Sequence, residues 1–354
     1  MRIDRQQAFS GTTASDIDAV ALEAHLAQHI AGFAGPLTLA RFKGGQSNPT
    51  YKLVTPGRSY VLRRKPFGKL LPSAHAIERE YRVTAALAEA GFPVARPLQL
   101  CADDSVIGAA FYVMEHAEGR VFWEPQAPGL SGADRAALFD SLNATIAQLH
   151  GIDPATIGLG DFGRPQGYVG RQIKRWSEQY RASETETIAE MDKLIAWLPG
   201  ACPADSDAAI VHGDFRLDNC IVHPTEPRII AVLDWELSTL GDPLADFTYH
   251  LMQWSMPVSE TGAGVGSLLG HESDPGVPAI EAYIADYCRR TGRSGIPELS
   301  IYMAYNFFRL AAILQGILGR VRDGTAANAE AAAMARQVRP LAETAWSFAR
   351  KAGA

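Results

Sequence analysis

The stretch of residues 210–219, Ile-Val-His-Gly-Asp-Phe-Arg-Leu-Asp-Asn, carries side chains suited to phosphoryl chemistry. Asp214 and Asn219 are five residues apart, a spacing that places a carboxylate and an amide oxygen on one side of a cavity. A carboxylate in that position accepts a proton from an attacking hydroxyl. The amide oxygen suits a hard divalent cation. The pair therefore indicates a general base beside a metal ligand.

A second acidic motif, Asp234-Trp235-Glu236, ends an apolar run that begins after this loop. Asp234 would complete a Mg²⁺ site, because this ion prefers oxygen ligands and keeps water and phosphate as its others. Glu236 is either a further acid near the metal or an additional metal contact. Arg216 is predicted to neutralise charge on a transferred phosphoryl group. A base, a metal and a cation together are what in-line phosphoryl transfer requires.

Each motif also has an ordinary interpretation, because Asp, Asn and Gly are residues that turns favour. A lone His-Gly-Asp or a lone Asp-Trp is more often part of a loop than of a catalytic site. The combination is more specific: His-Gly-Asp-x-x-x-x-Asn, an interval of 15 residues, an apolar run and then Asp-x-Glu. We therefore interpret the combination as one catalytic unit.

The elements around this unit predict an α+β fold. Apolar residues recur with a period of two in five short runs between residues 37 and 114, which predicts a small antiparallel sheet. One helix is inserted from Ser73 to just before Gly91, and another helix precedes the sheet, with Ser15 or Asp16 as its cap. Past residue 120 the spacing becomes mainly helical. We expect a nucleotide-binding lobe over residues 1–115 and a catalytic, acceptor-binding lobe over residues 116–354.

Composition excludes several classes of protein. The 354 residues carry 33 basic and 39 acidic side chains, and a net charge of −6 gives no general attraction to nucleic acid or anionic membrane. The four cysteines lie far apart without a Cys-x-x-Cys pair, and we find no secretory signal and no long apolar segment. We expect a cytoplasmic protein without a membrane span. The glycines of residues 262–266 fail the dinucleotide spacing, and no P-loop motif occurs.

The catalytic and metal motifs resemble those of the aminoglycoside phosphotransferase, or choline-kinase-like, family, which has a two-lobed protein-kinase-like fold. Wider stretches look closest to the kinase domain of some acyl-CoA dehydrogenase family members, namely residues 44–51, 60–63, 72–81, 232–236 and 241–243. The resemblance implies transfer of the γ-phosphoryl group of ATP, with Mg²⁺, to a substrate hydroxyl. By matching positions, Asp214 would be the base, and Asn219 and Asp234 the metal ligands.

The resemblance also places the phosphates of the nucleotide. Gly45, Ser47 and Asn48 lie between two predicted strands, where backbone N–H groups approach phosphates, although an ordinary hairpin turn has the same composition. Kinase-like folds hold the α- and β-phosphates with a lysine at the position of Arg63, tethered by a glutamate of the next helix. Glu80 is the first choice for that glutamate.

Two alternatives to this arrangement stay open. Glu78 is the second choice for the tethering glutamate, and Lys65 is an alternative phosphate contact on the same strand face as Arg63. Arginine keeps the positive charge and binds phosphate bidentately, so activity is not excluded.

Two further positions frame the cleft. Glu115 and His116 lie at the junction of strand and linker, where such folds pair backbone groups with adenine, and a plain strand end is the alternative. Asp246 lies on a helix opened by Asp242-Pro243, a favourable N-cap followed by proline. We predict that Asp246 braces the catalytic loop rather than facing solvent.

The expected substrate is a small hydroxylated metabolite, with a hydroxyacyl-CoA favoured from the resemblance alone. An aminoglycoside, choline or homoserine acceptor is the alternative, and the oligomeric state is left open. A cluster of C-terminal arginines would either meet the phosphates of a CoA group or lie on solvated helix faces: Arg309, Arg320 and Arg322. A protein kinase is disfavoured, because Asp-Trp-Glu replaces Asp-Phe-Gly and no Ala-Pro-Glu follows. A non-catalytic nucleotide-binding module is the remaining rival, motivated by Arg63.

Overall fold

The computed structural model describes residues 16–42, 48–67, 76–204, 207–258, 266–323 and 336–354. Among these residues, the N-terminal lobe is a five-stranded antiparallel sheet of order β1-β2-β3-β5-β4. Its strands are β1 (Thr38–Arg41), β2 (Thr50–Val54), β3 (Ser59–Arg64), β4 (Pro97–Cys101) and β5 (Phe111–Glu115). Helix α1 (Ala19–His29) precedes the sheet and α2 (Ile77–Glu89) is inserted after β3. The predicted sheet with one inserted helix is confirmed; residues 73–75 of that helix prediction lie outside the described residues.

The two faces of β3 have different partners, because successive side chains of a strand point to opposite faces. Tyr60 and Leu62 are buried in an apolar cluster that includes Leu26 of α1. Val61 and Arg63 point to the opposite face, which is the face towards the second lobe. The period of two therefore positions the phosphate-binding candidate on the correct side of the sheet.

The predicted cap of α1 is wrong. Asp18 caps this helix, and its Oδ1 accepts hydrogen bonds from the N–H groups of Val20 and Ala21, both at 3.0 Å. Asp16 instead accepts from the Tyr51 hydroxyl at 2.6 Å and from Arg64 at 2.8 Å. The buried Arg64 guanidinium needs a carboxylate, so this tertiary contact takes Asp16 away from capping. Ser15 lies outside the described residues.

The C-terminal lobe is mainly helical. Its described helices are α3 (Gly132–Gly151), α4 (Tyr168–Ser183), α5 (Ala189–Ala201), α6 (Pro243–Leu251), α7 (Ile280–Thr291), α8 (Leu299–Arg322) and α9 (Val338–Lys351). Two small antiparallel pairs interrupt them, formed by β6 (Ala209–Val211) with β9 (Thr239–Gly241) and by β7 (Cys220–Val222) with β8 (Ile229–Val232). The mainly helical character predicted past residue 120 is confirmed, and α6 continues past Leu251 only as a 3₁₀ turn, Met252–Trp254.

Helix α8 forms the centre of this lobe and packs against α4, α6 and α9. It is long and apolar enough to cross a membrane by length and composition alone, but 78% of its apolar window is buried inside the lobe. Its Asn306 amide donates to the Ala245 carbonyl at 3.0 Å and to the Thr248 hydroxyl at 2.9 Å, which fixes α8 against α6. This is the burial of a core helix.

The lobes are connected where β5 ends at Glu115, the last residue of the predicted N-terminal lobe. The linker then runs along β7, and Arg120 and Val222 exchange two backbone hydrogen bonds of 2.7 and 2.8 Å. Gly119 makes this approach possible, because a Cβ atom here would lie 2.3 Å from the Val222 carbonyl oxygen and 2.4 Å from Ile221 Cγ2. The division at residues 115 and 116 stays a prediction.

Replacing Gly119 by alanine should push the linker away from β7. Overpacking of this kind lowers the free energy of unfolding by about 1–3 kcal/mol, which urea denaturation measures. Gly57→Ala is the matched control, because no atom lies within 4 Å of a Cβ at Gly57. Equal unfolding midpoints for the two variants would contradict the close approach of linker and strand.

Candidate active site

The catalytic loop follows β6 and is held at its base by Asp246 of α6. The Asp246 carboxylate accepts hydrogen bonds from the backbone N–H groups of His212 and Gly213, each at 2.8 Å. Gly213 has a φ of +84°, and a Cβ there would lie 3.0 Å from Leu237, so glycine is required at this turn. The predicted role of Asp246 as a brace is confirmed.

A buried histidine keeps that carboxylate ionised. His150 Nε2 lies 3.2 Å from Asp246 Oδ2, and His150 Nδ1 lies 2.7 Å from the Tyr287 hydroxyl. Burial raises the pKa of Asp246, but the hydrogen bond and charge of His150 and its other neighbours outweigh burial and hold the pKa below its ordinary value. Asp246 therefore stays a charged acceptor for the loop.

Asp214 lies at the centre of a hydrogen-bonded group. Its Oδ1 accepts from the Tyr249 hydroxyl at 2.6 Å, and its Oδ2 accepts from Asn219 Nδ2 at 3.0 Å. Asn219 Nδ2 also donates to the Asp214 carbonyl at 2.8 Å, which closes the loop between the two residues. The spacing of five thus brings the carboxylate and the amide together as predicted.

Arg216 lies between two carboxylates. Its Nε is 3.1 Å from Asp214 Oδ1, and one of its terminal nitrogens is 3.2 Å from Asp218 Oδ2. Burial lowers the pKa of Arg216, but the charges of Asp214 and Asp218 outweigh burial and raise it. Burial raises the pKa of Asp218. The permanent charge required for the predicted role is present beside the base.

The loop that carries Asp234 is tied to the catalytic loop through Leu233. The Leu233 N–H donates to the Asn219 carbonyl at 2.8 Å, and the Leu233 carbonyl lies 2.8 Å from His212 Nε2. Asp234 itself has a left-handed φ of +64°, which turns the chain out of β8. The two predicted metal ligands, Asn219 and Asp234, are therefore held on neighbouring backbones.

Arg63 connects the two lobes across the cleft. Its Nε lies 3.1 Å from Glu80 Oε2, and a terminal nitrogen lies 2.9 Å from Asp234 Oδ1 and 3.6 Å from Glu236 Oε2. Glu80 is thus confirmed as the tethering partner. The second choice, Glu78, instead forms an ion pair with Lys65.

A cavity of about 640 Å³ lies between the lobes. Val61 and Ala95 line it from the sheet side, and Ile221 and Leu233 line it from the second lobe. Its polar lining residues come from the strands and helix of the sheet side, from the linker and from the catalytic motifs: Thr50, Arg63, Glu80, Thr84, Glu115, His116, Arg120, Asp218 and Asp234. A mostly apolar cleft with a few convergent polar groups is typical of a small-ligand site.

The remaining nucleotide-binding candidates are distributed unevenly around this cavity. Glu115 and His116 line it, but the Glu115 carboxylate is paired with Arg58 at 2.6 Å and Arg96 at 2.8 Å. The Glu115 N–H donates to the Arg96 carbonyl at 2.9 Å. Asn48 is buried, and its carbonyl accepts from the hydroxyl of a β2 threonine at 3.0 Å. The adenine and phosphate contacts of these residues stay predictions.

Gly45 and Ser47 lie outside the described residues, so their predicted phosphate contacts stay predictions as well.

Both predictions for the arginine cluster of α8 fail at Arg309. Its guanidinium is buried and donates to the Gly213 carbonyl at 2.8 Å, so it neither meets solvent nor reaches outward to a CoA group. Arg320 and Arg322 lie on the exposed face, as the alternative predicted. A helical spacing of seven residues from Tyr302 to Arg309 is the signal that places Arg309 on the buried face.

Sequence reasoning also missed Tyr249, the hydrogen-bond donor to Asp214.

Within the described residues, no three His, Cys, Asp or Glu side chains cluster to hold a metal ion by themselves. The site thus offers a carboxylate base, two guanidinium groups and a pair of oxygen donors suited to a metal shared with phosphates.

Glu80 should make stability depend on pH. Burial raises the pKa of Glu80 to about 7 from an ordinary 4.5, with Arg63 opposing and Asp234 reinforcing the effect. The folded state then binds more protons than the unfolded chain between about pH 4.5 and 7, so the free energy of unfolding falls as pH rises through that window. We expect Glu80→Gln to lose less stability over the same window, measured by urea denaturation at several pH values.

Glu78→Gln, on the same helix but exposed, should keep the wild-type dependence on pH. Identical pH dependence in the wild type and in Glu80→Gln would contradict the assigned cause.

Comparisons with known proteins agree with this geometry. The model of the phosphotransferase enzyme family matches residues 38–300. Acyl-CoA dehydrogenase family member 10 of Mus musculus is 45% identical over 323 residues, which cover 90% of this chain and 30% of that protein. Family member 11 of Rattus norvegicus is 43% identical over 340 residues, covering 94% of this chain and 43% of that protein. The chain thus spans less than half the length of these relatives.

Solved structures show the same fold. A protein of Ralstonia eutropha JMP134, described as an aminoglycoside phosphotransferase, is 50% identical with a TM-score of 0.85, covering 95% of this chain and 99% of that one. Spectinomycin phosphotransferase, solved with ADP and spectinomycin, has a TM-score of 0.64 at 14% identity, covering 94% and 99%, and shows the fold alone. The sequence motifs, the two lobes and the family match lead to one conclusion: the chain belongs to the phosphotransferase enzyme family and has its kinase-like fold.

Proposed function

We propose that this protein is a small-molecule kinase that transfers the γ-phosphoryl group of ATP to a substrate hydroxyl. The observation that carries the proposal is that Asp214 and Asn219 are hydrogen-bonded on one loop, which is also hydrogen-bonded to Leu233, the neighbour of Asp234. Asp234 lines the cavity between the lobes and pairs there with Arg63 of the sheet. Family membership supports the reaction type. The presence of a base and both metal-ligand candidates argues against a non-catalytic nucleotide-binding module.

Two buried guanidinium groups fit the phosphates of ATP. In the described part of the chain, the Nε atoms of Arg63 and Arg216 are buried and make no hydrogen bond, although each lies near a carboxylate. A phosphate oxygen is a suitable acceptor for a guanidinium, which binds it with fixed geometry. We assign Arg63 to the α- and β-phosphates and Arg216 to the transferred group.

The donor set also fits Mg²⁺. Besides Glu80, the carboxylates of Asp234 and Glu236 lie beside the single Arg63 guanidinium, so this side of the cleft carries excess negative charge. Asn219 and Asp234 would hold the ion through oxygen atoms. When bound, Mg²⁺ neutralises charge that develops on the phosphoryl oxygens.

The chain's own residues supply the proton chemistry. Asp214 removes the proton of the acceptor hydroxyl while that oxygen forms its bond to the γ-phosphorus and the bond from this phosphorus to ADP breaks. The proton ends on the Asp214 carboxylate, and Arg216 beside it neutralises charge. Positioning and electrostatics thus account for the reaction, as phosphoryl transfer requires.

For the acceptor we favour a hydroxyacyl-CoA. Two relatives that align with nearly the whole chain are named acyl-CoA dehydrogenase family members, and these names support an acceptor that carries an acyl-CoA group. An aminoglycoside, choline or homoserine acceptor is the alternative.

All four cysteines are described and remain thiols, in keeping with the cytoplasmic location that we also propose.

An ADP-release assay with MgATP tests the reaction and the acceptor together. Across hydroxyacyl-CoAs, amino alcohols, sugars and aminoglycosides, we expect the fastest turnover with a hydroxyacyl-CoA. Asp214→Asn should lower kcat by about 100-fold or more, because it removes the general base. Asp286→Asn, at an exposed ion pair of α7, should leave the rate unchanged.

Turnover with aminoglycosides alone would select the alternative acceptor. Full activity in Asp214→Asn would refute the proposed function.

The metal role of Asp234 makes a separate prediction. Mg²⁺ should strengthen ATP binding by the wild type, and Asp234→Asn should abolish this gain because it removes a charged oxygen ligand. Fluorescence titration with ATP, with and without Mg²⁺, measures the effect. The matched control is Glu78→Gln, which also removes one negative charge, but on α2, where Glu78 pairs with Lys65. This variant should keep the gain in ATP affinity that Mg²⁺ gives the wild type. An undiminished response in Asp234→Asn would count against the assignment.

A further inference from the structure

The carboxylate of Asp214 is held through both of its oxygens by donors from different elements. Asn219, on the catalytic loop, donates to Oδ2 at 3.0 Å. Tyr249, on α6, donates to Oδ1 at 2.6 Å. Two donors on opposite oxygens prevent rotation of the carboxylate about its Cβ–Cγ bond. Since Asn219 is also the proposed metal ligand, Tyr249 is the anchor whose hydroxyl has no other assigned task.

Helix α6 holds the catalytic loop twice. Asp246 binds its backbone at His212 and Gly213, and Tyr249 binds the base itself. Residues three apart lie on the same face of a helix, so both side chains reach the loop from one rigid element. Burial raises the pKa of Tyr249, so the phenol keeps its proton and acts as a donor. A fully buried donor on a helix defines the direction of the carboxylate more closely than a surface loop would.

Arg309 supports Tyr249 from the other side. Its guanidinium carbon lies 4.9 Å from the centroid of the Tyr249 ring, and one of its nitrogens donates to the Gly213 carbonyl at 2.8 Å. A buried cation over an aromatic face is attracted to it, and this contact restricts the tilt of the ring. Arg309 of α8 thus fixes the ring of Tyr249, which α6 directs towards Asp214.

We infer that Tyr249, supported by Arg309, is a positioning residue that aligns the Asp214 carboxylate with the acceptor hydroxyl. The inference rests on the proposed function, in which Asp214 removes the acceptor proton. Tyr249 does not touch the reacting atoms and acts only through Asp214. Displacement of a reacting group by about 1 Å lowers rates by about 100-fold, so this alignment affects turnover and not nucleotide binding.

Tyr249→Phe removes only the hydroxyl and keeps the ring under Arg309. With MgATP and the acceptor that gives the fastest ADP release, we expect kcat to fall by about 10- to 100-fold, with KM for ATP unchanged within about two-fold. The matched control is Tyr302→Phe. Tyr302 donates to Asp242, the N-cap of α6, at 2.7 Å, in a buried tyrosine–aspartate hydrogen bond at the other end of that helix. This variant should keep the wild-type kcat per folded molecule.

A second variant, Arg309→Met, keeps the volume but removes the cation. We expect its kcat to fall as well, and the double variant with Tyr249→Phe to lose less than the product of the two separate effects, because both residues act through Asp214. Circular dichroism and urea denaturation give the folded fraction of each variant. If Tyr249→Phe does not fold, the test is the kcat of Arg309→Met against that of Tyr302→Phe. A loss in Arg309→Met alone supports the inference, and equal values in the two variants contradict it.

Two results overturn the inference. One is a wild-type kcat in Tyr249→Phe, whether or not the KM for ATP rises, and the other is an equal loss of kcat in Tyr302→Phe. Asp214→Asn separates these from failure of the proposed function. If Asp214→Asn is inactive while Tyr249→Phe is fully active, only the inference fails. If Asp214→Asn is fully active, the proposed function fails, and the inference fails with it.

Discussion

The geometry of the site depends on one buried carboxylate, that of Asp246. An isolated buried charge is costly, and Asp246 is tolerated because it accepts two backbone N–H groups and contacts His150. These bonds hold Gly213 in its left-handed turn, and the turn presents Asp214 to Asn219 and Tyr249. Through His212 and its contact with Leu233, the same fixed point extends to the neighbouring loop. Helix α6 therefore positions both the candidate proton acceptor and, through the neighbouring loop, the candidate metal ligands.

A second constraint acts across the cleft. Arg63 belongs to the sheet, yet its partners include Asp234 of the other lobe as well as Glu80 of its own. Burial lowers the pKa of Arg63, but the carboxylates around it, Glu80 foremost, outweigh burial and raise it. A permanent charge thus joins the two lobes, in addition to the linker and to the bonds from Arg79 to the Phe162 and Ser238 carbonyls. Charged groups line the cavity both beside Arg63 and at the linker, and apolar side chains form much of the wall between them.

Much of this arrangement follows from the sequence. Periodicity of two and of 3.6 residues predicts the lobes, and the spacing of Asp214 and Asn219 predicts that they meet. Periodicity cannot tell which loop a given face of a buried helix meets, and for that reason the roles of Tyr249 and Arg309 were missed: α6 is buried over its whole length and α8 over most of it. The prediction of the α1 cap failed for a different reason. Asp16 and Asp18 have the same side chain, and which of them caps the helix depends on Arg64, a distant residue that binds Asp16.

Arginine at position 63 also changes how the protein responds to chemical labelling. Reagents that carry an acyl phosphate on a nucleotide modify kinases by acylating the ε-amine of the phosphate-binding lysine. That reaction needs a deprotonated amine, which a guanidinium with a raised pKa does not provide. Lys65, two residues further along the chain, is ion-paired with Glu78. A survey of nucleotide-binding proteins by lysine acylation would therefore find no reactive amine at position 63 itself.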